Sequence, residues 1–183
     1  KEDGTYYYDF ETKSYVKIGE NPRIILLPAL KERKKVIATN PGATLVDIGD
    51  GVACLEFHTK MNAVDDNVVA MINQSCDIVE KDFLGMVVGN HGANFSAGAN
   101  IFKVLLLIQM GDWDVLEDMI TGFQNANMRM KYLSKPVVTA PAGLALGGGC
   151  EMSMHGAKCQ PCGETYMGLV EVGVGFIPAG GGC

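Results

Sequence analysis

The chain has 183 residues, of which 48% are hydrophobic and 20% charged, and its formal net charge is −6 at pH 7. This length suffices for one domain with a substantial core, and the composition is that of a soluble globular protein. No apolar run approaches the roughly 18 residues of a membrane-spanning helix, and an acidic chain without basic, aromatic-rich patches is not expected to bind nucleic acid.

The N-terminal forty residues differ in character from the rest. Residues 5–10 and 14–18 are rich in aromatic and β-branched side chains and predict a small hairpin. Turn signals at Asn21-Pro22 and at residues 40–42 bracket an apolar and then basic segment. We therefore predict a linker or tail over residues 1–42 and a separate domain over residues 43–183.

Strand and helix patterns alternate after this boundary. Residues 44–48 and 52–57 flank a Gly-Asp-Gly turn and predict a second hairpin. Asp65 is a candidate N-cap for a helix with apolar residues at helical spacing. A short buried strand over residues 84–88 follows and leads into a loop that ends at Asn100. These elements predict an α/β domain.

The second half continues this alternation. An apolar stripe predicts a long helix from about residue 113 to residue 133. Residues 135–140 predict a strand that leads directly into a run of three glycines.

Those glycines, residues 147–149, precede Glu151 and form the most informative stretch. Without Cβ atoms, their backbone amides can approach a ligand closely. Amides at the start of a helix lack intrahelical partners and favour an oxygen anion. Glu151 lies three positions after Gly148, on the same helix face, so a carboxylate is expected beside such an amide.

A second carboxylate, Glu171, stands between Val170 and Val172 in an apolar segment that we predict to be a strand. A buried carboxylate without a partner costs several kcal/mol or takes up a proton, so it indicates a site more than a structural role. The cysteines show no disulfide framework, which favours reduced thiols and a cytoplasmic location. One CxxC at Cys159 and Cys162, without histidines at ligand spacing, predicts no metal site.

Four segments resemble, in order, the signature of the enoyl-CoA hydratase (crotonase) superfamily: residues 95–101, 136–140, 147–151 and 166–182. More narrowly, residues 55–62 and 164–171 look like the hydratase domain of bacterial fused 3-hydroxyacyl-CoA dehydrogenase/enoyl-CoA hydratases. In those proteins the dehydrogenase comes first, and the N-terminal segment resembles the tail that follows it.

The resemblance implies a crotonase-like ββα spiral, here ending before the C-terminal helices that close the acyl pocket and support oligomers. A homo-oligomeric parent is therefore expected, and the isolated chain is expected to be a poor enzyme. The implied reaction is hydration of a 2-enoyl-CoA to a 3-hydroxyacyl-CoA in fatty-acid β-oxidation. It needs no cofactor, and NAD is implied only for the dehydrogenase part.

The resemblance also implies roles for particular residues. The backbone amides of Ala99 and Gly148 would form an oxyanion hole for the thioester oxygen. Glu151 would activate water for attack at Cβ, and Glu171 would hold that water and protonate Cα. The implied substrate-binding residues are Met61, Ala97, Gly98, Asn100, Ile101 and Gly147.

Two alternatives remain open. A Δ3-Δ2-enoyl-CoA isomerase of this superfamily can work with a single base at the position of Glu171. The chain could also be a catalytically silent module that binds CoA or supports assembly within a multifunctional protein.

Overall fold

The computed structural model describes residues 6–19 and 24–183. Strands within these ranges are β1 (Tyr6–Asp9), β2 (Ser14–Lys17), β3 (Val36–Thr39), β4 (Ala43–Gly49), β5 (Val52–Phe57), β6 (Gly85–Val88), β7 (Val137–Thr139), β8 (Leu144–Leu146), β9 (Lys158–Cys159) and β10 (Tyr166–Gly168). The α-helices are α1 (Leu27–Glu32), α2 (Asp66–Asp82), α3 (Ile101–Met110), α4 (Trp113–Lys131) and α5 (Gly148–Met154). Short 3-10 turns occur at Lys60–Asn62 and Glu171–Val174.

The main sheet has six strands in the order β3-β4-β5-β6-β7-β9. Strands β3, β4 and β5 pair antiparallel, and the rest of the sheet is parallel. The predicted α/β class and the hairpin formed by β4 and β5 are confirmed. Helix α2 begins as predicted, because the Asp65 side chain accepts a hydrogen bond of 2.9 Å from the Val68 amide.

The core lies between the main sheet and helices α2 and α4. It includes Leu45, Leu55 and Phe57 from the sheet, packed with buried side chains of both helices. The predicted apolar stripe of α2 is confirmed, with Val68, Ile72, Cys76 and Val79 all fully buried. Burial on this scale contributes about 1.5–3 kcal/mol for each large aliphatic side chain.

A second, smaller sheet positions the site. Strand β8 pairs in parallel with β10, and an isolated bridge joins Ala145 of β8 to Ser96. A further bridge joins Ala99 to Val64. The loop that ends at Asn100, the start of α5 and the segment carrying Glu171 are therefore held next to one another.

Three features differ from the sequence-based expectations. Helix α3 was not predicted, because its residues are apolar on nearly every side and show no helical periodicity; Phe102 and Met110 are exposed. Glu171 begins a 3-10 turn, so its predicted placement in a strand is wrong. The main sheet also extends upstream to Val36 through β3, while the assignment of residues 1–42 to a linker or preceding domain stays a prediction.

The N-terminal hairpin is confirmed by the antiparallel pairing of β1 with β2. Thr5 and the predicted turn at Asn21-Pro22 lie outside the described residues. None of the helices in the described ranges combines the length and apolar character needed to cross a bilayer.

Candidate active site

A cavity of about 280 Å³ lies between helices α3 and α4, the start of α5 and the C-terminal segment. Its wall is largely apolar and includes Val104, Ile120 and Phe123. Nine of the ten predicted site residues line it: Ala97, Gly98, Ala99, Asn100, Ile101, Gly147, Gly148, Glu151 and Glu171. A concave apolar pocket with a few convergent polar groups is typical of a small-molecule site.

Met61 is the predicted site residue that does not line the cavity. It lies in the 3-10 turn with φ of 59°, and its side chain is half exposed. Its carbonyl accepts a hydrogen bond of 3.1 Å from the Ala97 amide. Met61 therefore contacts the site's loop through its backbone.

The loop around Ala99 lies directly against the start of α5. Gly98 has φ of +87°, and a Cβ on it would stand 2.7 Å from the Leu146 carbonyl oxygen and 3.0 Å from the Gly148 nitrogen. The Cβ position of Gly148 lies 3.5 Å from the Ala99 nitrogen, an ordinary contact distance. Only glycine at position 98 allows this approach, which brings the Ala99 and Gly148 amides beside each other on the cavity wall.

These two amides differ from their neighbours in hydrogen bonding. Leu146 of β8 donates to the Ser96 carbonyl at 3.0 Å and so ties the loop to the small sheet, while Val64 donates to the Gly98 carbonyl at 2.9 Å. Within the described part of the chain, the Ala99 and Gly148 amides themselves donate to no protein acceptor. Gly148 is the first residue of α5, where amides have no intrahelical partner.

Glu151 is the most deeply buried acid at the cavity, with 2% of its surface exposed. Its Oε1 accepts hydrogen bonds from the backbone amides of Gly180, at 2.7 Å, and Gly182, at 2.9 Å. Burial raises the pKa of this carboxyl above its usual value, and the two backbone donors partly oppose that rise. The negative charge of Glu171 raises the pKa further, and His155 lowers it.

Glu171 reaches the same cavity from the 3-10 turn. Its Oε1 lies 3.1 Å from the position that a Cβ on Gly147 would occupy. Its Oε2 is buried and, among the described residues, has no hydrogen-bond partner. Glu151 and Glu171 therefore face the same cavity as two carboxyl groups.

Several groups around Glu151 were not identified from the sequence. Gly180 and Gly182 hold its carboxylate, and Asn127 and Gln124 on α4 donate to the segment that carries them. His155 closes α5, with its Nδ1 at 2.6 Å from the backbone oxygen of Glu151. The glycines after Pro178 were a possible signal, but only the fold shows that they meet Glu151.

No group of three or more metal-ligating side chains is found among the described residues. The groups that converge on the cavity are backbone amides and carboxylates, which suit binding of an oxygen anion and transfer of protons.

The raised pKa of Glu151 gives a stability prediction. Below the unfolded value of 4.5 the carboxyl is neutral in both states, and folding loses stability as the pH rises through the higher folded pKa. Glu151→Gln stays neutral and can still accept from both glycine amides. We expect its melting temperature to exceed that of the natural chain by a margin that grows as the pH rises above about 4.5 and levels off above the raised folded pKa. Each kcal/mol of this margin corresponds to about 2–4 °C.

Thermal denaturation across this range measures that margin. Glu164→Gln is the matched control, because Glu164 is exposed and the same charge is removed. A margin that stays constant with pH, or equals that of the control, would contradict the burial of an ionised Glu151.

Sequence comparison with known proteins gives one family match and several relatives of this chain. Residues 51–183 match the sequence profile of the enoyl-CoA hydratase/isomerase family. A Bacillus subtilis protein named "Probable 3-hydroxyacyl-CoA dehydrogenase" is 46% identical over 182 residues, which are 100% of this chain and 23% of that protein. A Rickettsia felis protein named as a fatty acid oxidation complex trifunctional enzyme is 31% identical over 93% of this chain and 23% of its own length.

Solved structures show the same fold. An enoyl-CoA hydratase/isomerase (crotonase) from Legionella pneumophila has a TM-score of 0.69 at 22% identity, over 78% of this chain and 56% of that one. DspI from Pseudomonas aeruginosa has a TM-score of 0.70 at 25% identity, over 80% of this chain and 59% of that one. The predicted crotonase-like fold is confirmed. The chain spans about a quarter of the length of the two sequence relatives.

Proposed function

Because the chain belongs to the enoyl-CoA hydratase/isomerase family, we propose that it hydrates a 2-enoyl-CoA to a 3-hydroxyacyl-CoA. The observation that carries this assignment is the pair of carboxylates, Glu151 and Glu171, facing one cavity beside two backbone amides. Hydration needs one group to take a proton from water and another to deliver a proton to carbon. An isomerase of this superfamily can work with one base.

The Ala99 and Gly148 amides would bind the thioester oxygen. As water adds to Cβ, negative charge moves onto that oxygen and forms an enolate. Donors fixed at this point stabilise the transition state more than the ground state, and one such donor is worth about 10²–10³ in rate. Their adjacency across Gly98 supports this role.

Glu151, ionised, would take the proton from water, while the water oxygen forms its bond to Cβ. Glu171 would hold the water and give a proton to Cα, which completes the addition of one water molecule across the double bond. The raised pKa of Glu151 makes it a stronger base than an ordinary glutamate.

We also propose a pathway and a cellular location for this reaction. The relatives' names connect the family to fatty-acid oxidation, so we assign the reaction to β-oxidation within a longer, fused and homo-oligomeric cytoplasmic protein. Hydration would need an acyl-CoA substrate and no metal or cofactor. NAD would serve only a dehydrogenase part of the longer protein.

Separate assays with a 2-enoyl-CoA and a 3-enoyl-CoA test the reaction type. We expect the longer protein that contains this chain to form 3-hydroxyacyl-CoA from the 2-enoyl substrate, and Glu171→Gln in that protein to lower the rate by about two orders of magnitude. Glu164→Gln, an exposed glutamate nearby in sequence, is the control. Conversion of 3-enoyl-CoA to 2-enoyl-CoA without hydration would instead favour an isomerase, and activity on neither substrate would favour a silent module.

A further inference from the structure

Two side-chain amides on α4 hold the C-terminal segment in place. Gln124 and Asn127 lie three residues apart and therefore on one face of the helix. Gln124 Nε2 donates to the Ala179 carbonyl at 2.6 Å, and Asn127 Nδ2 donates to the Gly180 carbonyl at 2.8 Å. We refer to this pair, Gln124 and Asn127, as the amide clamp.

The amide clamp acts on the peptide units that contact Glu151. The Ala179 carbonyl and the Gly180 N–H belong to one planar peptide unit and point in opposite directions. Gln124 holds the carbonyl end of this unit, and Glu151 Oε1 accepts from its N–H end at 2.7 Å. The orientation of one end therefore fixes the orientation of the other.

Asn127 holds the next peptide unit, which joins the Gly180 carbonyl to the Gly181 N–H. By fixing the Gly180 carbonyl, it sets the path of the chain towards Gly182, whose amide also donates to Glu151 Oε1, at 2.9 Å. The backbone at Gly180 is tightly packed, because a Cβ there would overlap both Glu151 and Phe123. The Gly180 donor thus shares its peptide unit with a carbonyl that α4 holds, and the Gly182 donor lies one peptide unit after the other held carbonyl.

Burial of the Asn127 side chain costs free energy. Its side chain is 0% exposed, and its Oδ1 has no hydrogen-bond partner among the described residues. An apolar side chain of similar size would avoid the cost of a buried, unpaired acceptor. This local cost indicates a role beyond packing.

We propose that Gln124 and Asn127 are positioning residues, which orient the Gly180 and Gly182 amides and thereby hold Glu151 ionised in its working geometry. The inference rests on the proposed role of Glu151 as base. Other groups that face this carboxyl are Glu171 from the 3-10 turn, His155 at the end of α5 and the neighbouring Cys150 thiol. These are unchanged by substitutions on α4.

The variants Asn127→Leu and Gln124→Met remove one donor each and nearly conserve volume. Without these donors, the Gly180 and Gly182 amides should hold the ionised Glu151 less firmly, and weaker hydrogen bonds to the charged form raise the pKa of a carboxyl. The acidic limb of the profile of kcat against pH should therefore move up by about one pH unit. We expect kcat below that limb to fall about tenfold, with a smaller change in KM. Asn125→Leu is the matched control, since Asn125 is the exposed neighbour on the same helix.

The pKa of Glu151 can also be measured without substrate, by carboxyl ¹³C NMR titration of the protein, with Glu151→Gln to assign the signal. A higher pKa in Asn127→Leu and Gln124→Met, but not in Asn125→Leu, supports the amide clamp. An unchanged pKa in both, or the same rise in the control, overturns it. If Asn127→Leu does not fold, the pKa of Glu151 in Gln124→Met tests the amide clamp by itself, because Gln124 is exposed and its substitution should leave the fold intact.

The two assays also separate this inference from the function on which it rests. If the pKa of Glu151 rises in the variants but the protein forms no 3-hydroxyacyl-CoA, the amide clamp is supported and hydration is rejected. Hydration with an unshifted Glu151 would reject the amide clamp alone.

Discussion

Glu151→Gln is expected to lower kcat for hydration of a 2-enoyl-CoA by about two to four orders of magnitude. Glutamine keeps an acceptor for the Gly180 and Gly182 amides, so the local structure should persist, but it cannot take a proton from water. KM should change little, because Glu151 Oε1 is held by the protein's own backbone. Steady-state kinetics of the purified variant measures both constants.

Glu164→Gln controls for the loss of one negative charge at an exposed position. Hydration by Glu151→Gln at the rate of this control would reject Glu151 as the base. Loss of hydration with persistent double-bond migration would leave Glu171 as a lone base and favour the isomerase alternative.

Gly98→Ala is expected to lower kcat by about 10²–10³, close to the value of one oxyanion donor. The new Cβ would stand 2.7 Å from the Leu146 carbonyl oxygen and 3.0 Å from the Gly148 nitrogen, and both of these are backbone atoms that cannot rotate away. The loop must therefore move, and the Ala99 and Gly148 amides separate.

Gly111→Ala is the matched control for backbone strain. Gly111 has φ of +71°, close to the +87° of Gly98, but a Cβ there meets nothing within 4 Å. Gly111→Ala should lose about 1 kcal/mol of stability from backbone strain alone, Gly98→Ala should lose more because of the clash, and only Gly98→Ala should lose kcat. Equal kcat losses in the two variants would show that the effect is general destabilisation rather than displacement of the amides.

Local sequence signals were sufficient for much of the fold. Asp65 marks the start of α2 because its side chain caps the helix, and the glycines at 147–149 mark the start of α5 because the chain passes close to Ser96 there. The glycine run also marked Gly148 and Glu151 at the cavity, whereas Ala99 was assigned from the family resemblance. Val104 and Ile120, which line the cavity from helices α3 and α4, were not predicted as site residues.

Other features depend on contacts between distant residues. The donors to Glu151 lie 29 and 31 residues after it, a separation that no periodic pattern reports. Helix α3 lacks a polar face, so its pattern does not differ from that of a buried strand. Glu171 lies in a 3-10 turn although valines flank it, so its apolar neighbours in sequence did not indicate its conformation.

Incubation with a 2-enoyl-CoA in ¹⁸O-labelled water, followed by mass spectrometry of the thioester, tests hydration by Glu151 and Glu171 most directly. We expect the natural protein to form 3-hydroxyacyl-CoA that carries one ¹⁸O at C3, and Glu151→Gln to form almost none in the same time. Recovery of unlabelled thioester alone, or equal labelling by the natural protein and Glu151→Gln, would contradict this function.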